Sequence, residues 1–209
     1  MAALLEALDV PAGVVGNEPA RRNIAPGREI VVYDGTLTRM RWGIVPVGRV
    51  NARGRPVMEQ IINARSETVV DKSAFDGVGR AAIPVNGWYE WTGEKRKKTA
   101  WQIAPKGGGF LYFAAITDSW TAPGGLRVPQ VAAVTCAPNG DVAPIHHRMG
   151  VLLERSDLHI WMADDLDAAK ALMAQWPDGR LAITKADNVD WDGPRSEDTR
   201  LNSSHPSRS

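Results

Sequence analysis

From Glu29 to Thr135 the chain is a succession of short β-branched and aromatic runs, each stopped within a few residues by Gly, Pro, Asn or Asp. Punctuation that dense leaves no room for a long helix and favours tight turns between neighbouring strands, so it predicts an antiparallel, β-rich domain. Glu29 to Tyr33, the turn pair Asp34-Gly35 and the return run Thr36 to Trp42 read as a hairpin, which Gly43-Ile44-Val45-Pro46 closes off. Further strands are predicted over Thr99 to Ala104, Phe110 to Ser119 and Val128 to Thr135, with a last short one at Leu181 to Thr184. Val47 to Met58 mixes Gly, Arg, Asn and Pro without period and reads as an exposed loop. Helical spacing or capping chemistry marks four short helices: Ala2 to Leu8, Thr68 to Phe75, a segment capped by Ser156 and running through Met162, and Leu166 to Trp176.

Composition bounds what such a domain can do. A chain of 209 residues with 44% hydrophobic residues buries one substantial core. A formal net charge of +1 excludes a polybasic nucleic-acid binder but leaves room for a local basic groove. The one cysteine, Cys136, excludes an internal disulfide or a cysteine-rich metal site and suits a reducing cytoplasm. No apolar run reaches the length of a membrane span, and Met1 to Val10 lacks the basic start of a secretory signal. From Arg195 the sequence loses all apolar period, so residues 1–194 are read as the domain and 195–209 as a non-native or disordered tail. That tail carries three Arg against one Glu and one Asp, and without it the net charge falls from +1 to 0.

Four clusters rich in functional groups fall at predicted strand ends and turns: Asn23-Ile24-Ala25-Pro26, Asn63-Ala64-Arg65-Ser66-Glu67, Asn86 to Trp91, and His146-His147-Arg148. Side chains from distant strand ends commonly meet in one pocket, and an amide, a carboxylate and an imidazole together supply an anchor, a proton donor and a proton acceptor. Glu90 stands among Trp88, Tyr89 and Trp91, where desolvation can raise a carboxylate's proton affinity; equally, it can point to water from an aromatic edge strand. His146 can be a packed residue, and Asn63 a turn residue bonding its own backbone. Neighbouring His146 and His147 diverge on a strand and have no third His or Cys at ligand spacing, so no metal is expected, and no cofactor loop is found. Cys136 lies in an apolar run and reads as a small core residue. Arg65, Arg80 and Arg148 suit phosphate, and Trp42, Trp88 and Trp91 suit base stacking, a combination that fits single-stranded nucleic acid. The alternative is that these arginines pair with Glu67 or Asp side chains inside the fold, and that Lys95 to Lys98 is a solvated turn rather than a phosphate-facing rim.

Taken together, Asn23-Ile24-Ala25-Pro26, Trp42-Gly43-Ile44-Val45-Pro46, Asn63-Ala64-Arg65-Ser66-Glu67-Thr68, Ile83-Pro84 through Trp91, and Ala143-Pro144-Ile145-His146-His147-Arg148-Met149 resemble the SOS response-associated peptidase (SRAP) family. The order and spacing match from about Leu4 to Pro194. The resemblance implies a single α+β domain with an antiparallel, barrel-like sheet and a few short helices. It also implies abasic sites in single-stranded DNA as the partner. In that family a cysteine exposed as the mature N-terminus reacts with the sugar aldehyde to give a covalent crosslink, and the same constellation removes the initiator Met, as a peptidase with lyase-like chemistry. Carried onto this chain, Asn63 holds the nucleophile's backbone or the opened sugar, Glu90 shuttles a proton, and His146 acts as acid/base. Arg65, Arg80 and Arg148 hold flanking phosphates, and Trp42 and Trp88 pack against displaced bases.

The chain departs from this pattern at three places. Where the family begins Met-Cys-Gly-Arg, this sequence reads Met1-Ala2-Ala3-Leu4; His147 stands in place of an Asp; and Gly150 replaces a Pro. The expectation is an N-terminally truncated domain that cannot close the thiazolidine as written, while the full gene product does so. Two other readings are a non-catalytic single-stranded DNA-binding module and a hydrolase built on Glu90 and His146. The protein is expected to be a cytoplasmic monomer.

Overall fold

The computed structural model describes residues 1–9, 24–46, 60–70, 77–94, 97–122 and 124–187. Its first hairpin follows from local chemistry. Asp34 accepts hydrogen bonds from the Thr36 amide (3.3 Å) and hydroxyl (3.1 Å), and Gly35 turns at φ 103°, a left-handed value that only glycine adopts without strain. The flanking strands β1 (Glu29–Tyr33) and β2 (Leu37–Trp42) pair from Tyr33 opposite Leu37 out to Glu29 opposite Arg41. Alternation then puts Ile30, Val32 and Met40 on the buried face.

That hairpin belongs to a closed barrel. β1 meets β4 (Gly79–Val85) at Tyr33 and Ala82, β4 pairs β7 (Leu111–Thr121), and β7 pairs β8 (Arg127–Cys136). β8 returns to β2 with Arg41 opposite Gln130 and Trp42 opposite Val131, which completes the ring β1–β2–β8–β7–β4. The barrel-like sheet matches the expectation, but its antiparallel character is corrected. β2 and a short strand β3 (Asn63–Arg65) both run parallel to β8, so the sheet is mixed. Parallel pairs need long crossovers rather than tight turns, and turn punctuation carries no signal for them. Ala81, Ala82, Ala114, Ala115, Ala132 and Ala133 are all fully buried, so both faces of this part of the sheet are covered.

Two further short strands extend this sheet. β9 (Met149–Gly150) lies against the end of β8, and β10 (Leu152–Leu153) lies against Tyr112 and Phe113 of β7. A second, antiparallel sheet has the order β11 (Leu181–Lys185), β6 (Thr99–Pro105), β5 (Trp88–Thr92). The sheets meet where Trp88 packs edge-on against Phe113, with centroids 5.3 Å apart and planes at 74°.

The helices are short. α1 (Ala2–Leu8) buries Leu4 and Leu8, one turn apart, and Arg155 donates to the Leu8 carbonyl (3.0 Å). α2 (Ser66–Val69) begins two residues before the expected start, and residues 71–76 lie outside the described ones. α3 (Leu158–Met162) packs on β4, with Trp161 Nε1 donating to the Ala81 carbonyl (2.7 Å). Ser156 is not its cap. It sits inside a 3₁₀ turn (Arg155–Asp157) closed by Glu154 and Asp157, whose carboxylate accepts from the Glu154 amide (2.9 Å). α4 (Leu166–Ala171) is capped by Asp165 accepting from Ala168 (3.0 Å) and stops well short of Trp176, ahead of Pro177. Among the described residues no helix is long and apolar enough to cross a membrane. The segment 47–58, expected to be a loop, lies outside the described residues.

Candidate functional site

The end of β8 gathers groups from three other segments. On one edge β3 pairs in register, Asn63 opposite Ala133 and Arg65 opposite Thr135. Ala64 is buried between them, which leaves Asn63 and Arg65 together on the opposite strand face, the first half-buried and the second exposed. The Asn63 Oδ1 is buried and has no hydrogen-bond partner among the described residues. An acceptor left in that state costs about 1–3 kcal/mol, so it is a place where a donor is wanted. The other edge of β8 carries β9, with Thr135 opposite Gly150 and Cys136 opposite Met149, directly after His146-His147-Arg148.

Arg148 ties these pieces together. Its two terminal nitrogens grip both oxygens of Glu67 in the first turn of α2, and Nη2 also reaches the Thr135 carbonyl (2.5 Å) and hydroxyl (3.3 Å). The Thr135 hydroxyl donates to Ala64 of β3 (3.4 Å). Arg148 is therefore engaged inside the fold, as the internal-pairing alternative had it with Glu67.

The Arg148 hydrogen bond holds the Glu67 carboxyl down at about 2, against an ordinary 4.5. A depressed folded-state value means that the contribution of the pair is fully present above about pH 4.5 and is lost as pH falls towards 2. Solvent screening keeps it small, since the Glu67 side chain is 51% exposed. Urea melts of Glu67→Gln between pH 7 and 3 are expected to show a shallower acid limb than the parent; an unchanged limb would contradict the assignment.

His146 is half-buried and closes a turn through its amide to Val142 (3.0 Å). Its Nδ1 stands 2.7 Å from the Arg148 carbonyl and 3.0 Å from the Arg148 amide, and it can serve only one of them. The shorter contact is best satisfied with the proton on Nδ1, donated to the carbonyl, which puts the ring's lone pair on Nε2. Burial, followed by the nearby His147 and Arg148, pushes the imidazole below its ordinary 6.5, while the Arg148 carbonyl opposes the shift. His146 is therefore neutral near pH 7. His147 stacks against it at 4.4 Å and is itself exposed.

Glu90 lies on β5 opposite Trp101 and is only 4% exposed. This decides against a carboxylate pointing to water. Alternation puts it on the same face of β5 as Trp88, which packs on Phe113. Phe113 in turn fills the space where a side chain at Gly150 would be, 1.9 Å from an added Cβ. Glu90 thus shares a strand face with a ring that leads, through Phe113 and Gly150, to β9 and the turn bearing His146.

The other candidates are placed as follows. Trp42 and Trp88 are each 1% exposed and belong to the core, so neither ring has a face open to a displaced base. Trp42 Nε1 donates to the Ile62 carbonyl instead (3.1 Å). Arg80 donates to the Ala163 carbonyl at the end of α3 and so tethers a helix. Arg65 stays exposed. Cys136 is a buried thiol pushed up to about 11, in keeping with a core residue. Asn23, Lys95 and Arg96 lie outside the described residues. A cavity of about 720 Å³ opens elsewhere, beside Ala3, Tyr112, Arg155 and Arg180, and contains none of the candidate residues. Thr135 and the Phe113–Gly150 fit escaped sequence reasoning, because nothing local marks a strand residue or a glycine as the partner of a group far along the chain.

A family model described as SOS response associated peptidase (SRAP) matches residues 2–189. The chain belongs to the SRAP family. This SRAP chain is similar to the abasic site processing protein YoaM of Bacillus subtilis, 30% identical over 67% of this chain and 64% of the relative. It is also similar to the abasic site processing protein YedK of Escherichia coli, 28% identical over 72% and 68%, and to HMCES of Mus musculus, 26% identical over 58% and 43%. The chain thus spans just under two thirds of the length of the Bacillus relative. A solved structure from Bacteroides thetaiotaomicron shares the fold, with a TM-score of 0.67 at 20% identity over 78% of this chain and 75% of the other. A phage-related protein from Bordetella bronchiseptica does so with a TM-score of 0.65 at 24% identity over 88% and 89%.

Proposed function

We propose that this SRAP chain binds abasic sites in single-stranded DNA at the end of β8. The relatives named as abasic site processing proteins support the substrate class. The observation that carries the reading is the buried Asn63 Oδ1, without a hydrogen-bond partner among the described residues, on the same strand face as exposed Arg65. An acceptor there suits a hydroxyl of the ring-opened sugar or the amide of an attacking residue, and a guanidinium beside it suits the flanking phosphate.

The covalent chemistry is the one the family resemblance implies. An N-terminal amine adds to the C1′ aldehyde and loses water to form an imine. The thiol of the same residue then adds to the imine carbon, closing a thiazolidine as its proton passes to nitrogen. Glu90 moves the proton that opens the sugar, and neutral His146 exchanges a proton with the sugar oxygen. Removal of an initiator Met draws on the same pair. No cofactor or metal enters, and the protein acts as a cytoplasmic monomer.

Cys136 cannot supply the nucleophile, because it is buried, its thiol is held up at about 11 and it has no adjacent α-amine. A polypeptide of this sequence is therefore expected to bind abasic single-stranded DNA without forming a heat-stable crosslink, whereas a form whose mature N-terminus is Cys forms one. Denaturing gels read the crosslink, and a heat-stable band from the present sequence would overturn the assignment. Asn63→Ala is expected to weaken binding about tenfold by fluorescence anisotropy, roughly 1.4 kcal/mol. Equal affinity would remove Asn63 from the site.

A further inference from the structure

We infer that Glu67 is a positioning residue: through its two-pronged contact with Arg148 it anchors the turn that orients His146. Arg148 serves the turn twice. Its backbone carbonyl holds the His146 Nδ1 (2.7 Å), and its side chain is fastened at once to Glu67 on α2 and to Thr135 on β8. Thr135 in turn bonds Ala64 on β3, between Asn63 and Arg65. The Arg148 side chain is mostly buried while Glu67 faces solvent, so the carboxylate closes the guanidinium against β8 from outside. Without that cover, Arg148 keeps only its contacts to Thr135, and the His146–Arg148 segment is free to lift from the end of β8.

The charged and titratable groups near the imidazole include His147 on its own turn, Arg148 beside it and Glu67 across the guanidinium. Asp141, earlier in the same loop, is taken up by the Gly179 and Leu181 amides. Removing Glu67 takes away a negative charge, and charge alone would lower the His146 titration midpoint further. Release of the turn gives the ring back to water and raises it. The two causes act in opposite directions, so the experiment separates them.

The clamp bears on DNA only through the proposed role of His146 at the abasic sugar, but its test needs no DNA. The His146 ring is followed by NMR pH titration in ¹⁵N-labelled parent protein, Glu67→Ala and Glu67→Gln. The midpoint is expected to rise by about half a unit or more, towards the ordinary value near 6.5, in Glu67→Ala. A smaller rise is expected in Glu67→Gln, which keeps an acceptor for Arg148. A midpoint that stays put or falls in Glu67→Ala overturns the inference, and Glu67→Gln decides by the same criterion if the alanine variant does not fold. In parallel, anisotropy with an abasic oligonucleotide is expected to show weaker binding by Glu67→Ala. Failure of the parent itself to bind that oligonucleotide sinks the proposed function, whereas the imidazole titration alone judges the clamp.

Discussion

Trp88→Ala is expected to lower folding stability by about 3–5 kcal/mol, the cost of emptying the space of a fully buried indole. In a chain of this size that corresponds to a fall in melting temperature of roughly 2–4 °C per kcal/mol, easily read by differential scanning calorimetry. The size of the effect follows from where the ring lies. Trp88 is 1% exposed and packs edge-on against Phe113, a contact between the second sheet and the barrel. It also shares its strand face with Glu90, so collapse around the missing ring shifts the buried carboxylate as well. The alternative role, a platform for a displaced base, predicts the reverse pattern: unchanged melting and weakened DNA binding. A Trp88→Ala protein that melts like its parent would return Trp88 to the DNA surface.

Gly150→Ala is the second large effect. A Cβ at this position would stand 1.9 and 2.0 Å from two ring carbons of Phe113, which is itself fully buried and cannot swing into solvent. Overpacking of this kind costs about 1–3 kcal/mol, and the contact here is close enough to place it at the upper end or beyond. The strain falls on β9, whose pairing with Thr135 and Cys136 seats the preceding turn. Shrinking the opposing ring should relieve it, so the double variant Gly150→Ala with Phe113→Leu is expected to lose less than the sum of the two single changes in a double-mutant cycle. Simple additivity would mean the two positions are not in conflict. A pyrrolidine ring at 150, like any side chain, would have no room beside Phe113.

Much of the secondary structure could be read from the chain, because its signals are local. Asp34-Gly35 specifies a turn by hydrogen bonding and backbone freedom within three residues, and the strands on either side begin and end where that turn dictates. Ser156 departs from its expected role for a related reason. It is a good capping residue in isolation, but Glu154 and Asp157 satisfy the same backbone groups first, and one amide N–H donates to one partner. The parallel pairing of β2 and β3 with β8 was not legible, since it joins segments far apart in sequence with no turn between them.

The candidate site divides along the same line. Motif order alone named Asn63, Arg65, Glu90 and His146 and the family to which they belong, because those depend on residue identity and spacing. Which arginine faces solvent and which is held inside could not follow from identity, since Arg65 and Arg148 are the same residue type. Only the tertiary structure, by bringing Glu67 and Thr135 to Arg148 and leaving Arg65 exposed, distinguished them. The tryptophans teach the same lesson. The sequence determined that large rings lie beside the motifs, and packing decided that Trp42 and Trp88 are spent on the core, because burying an indole removes more apolar surface from water than leaving it at the surface for a ligand.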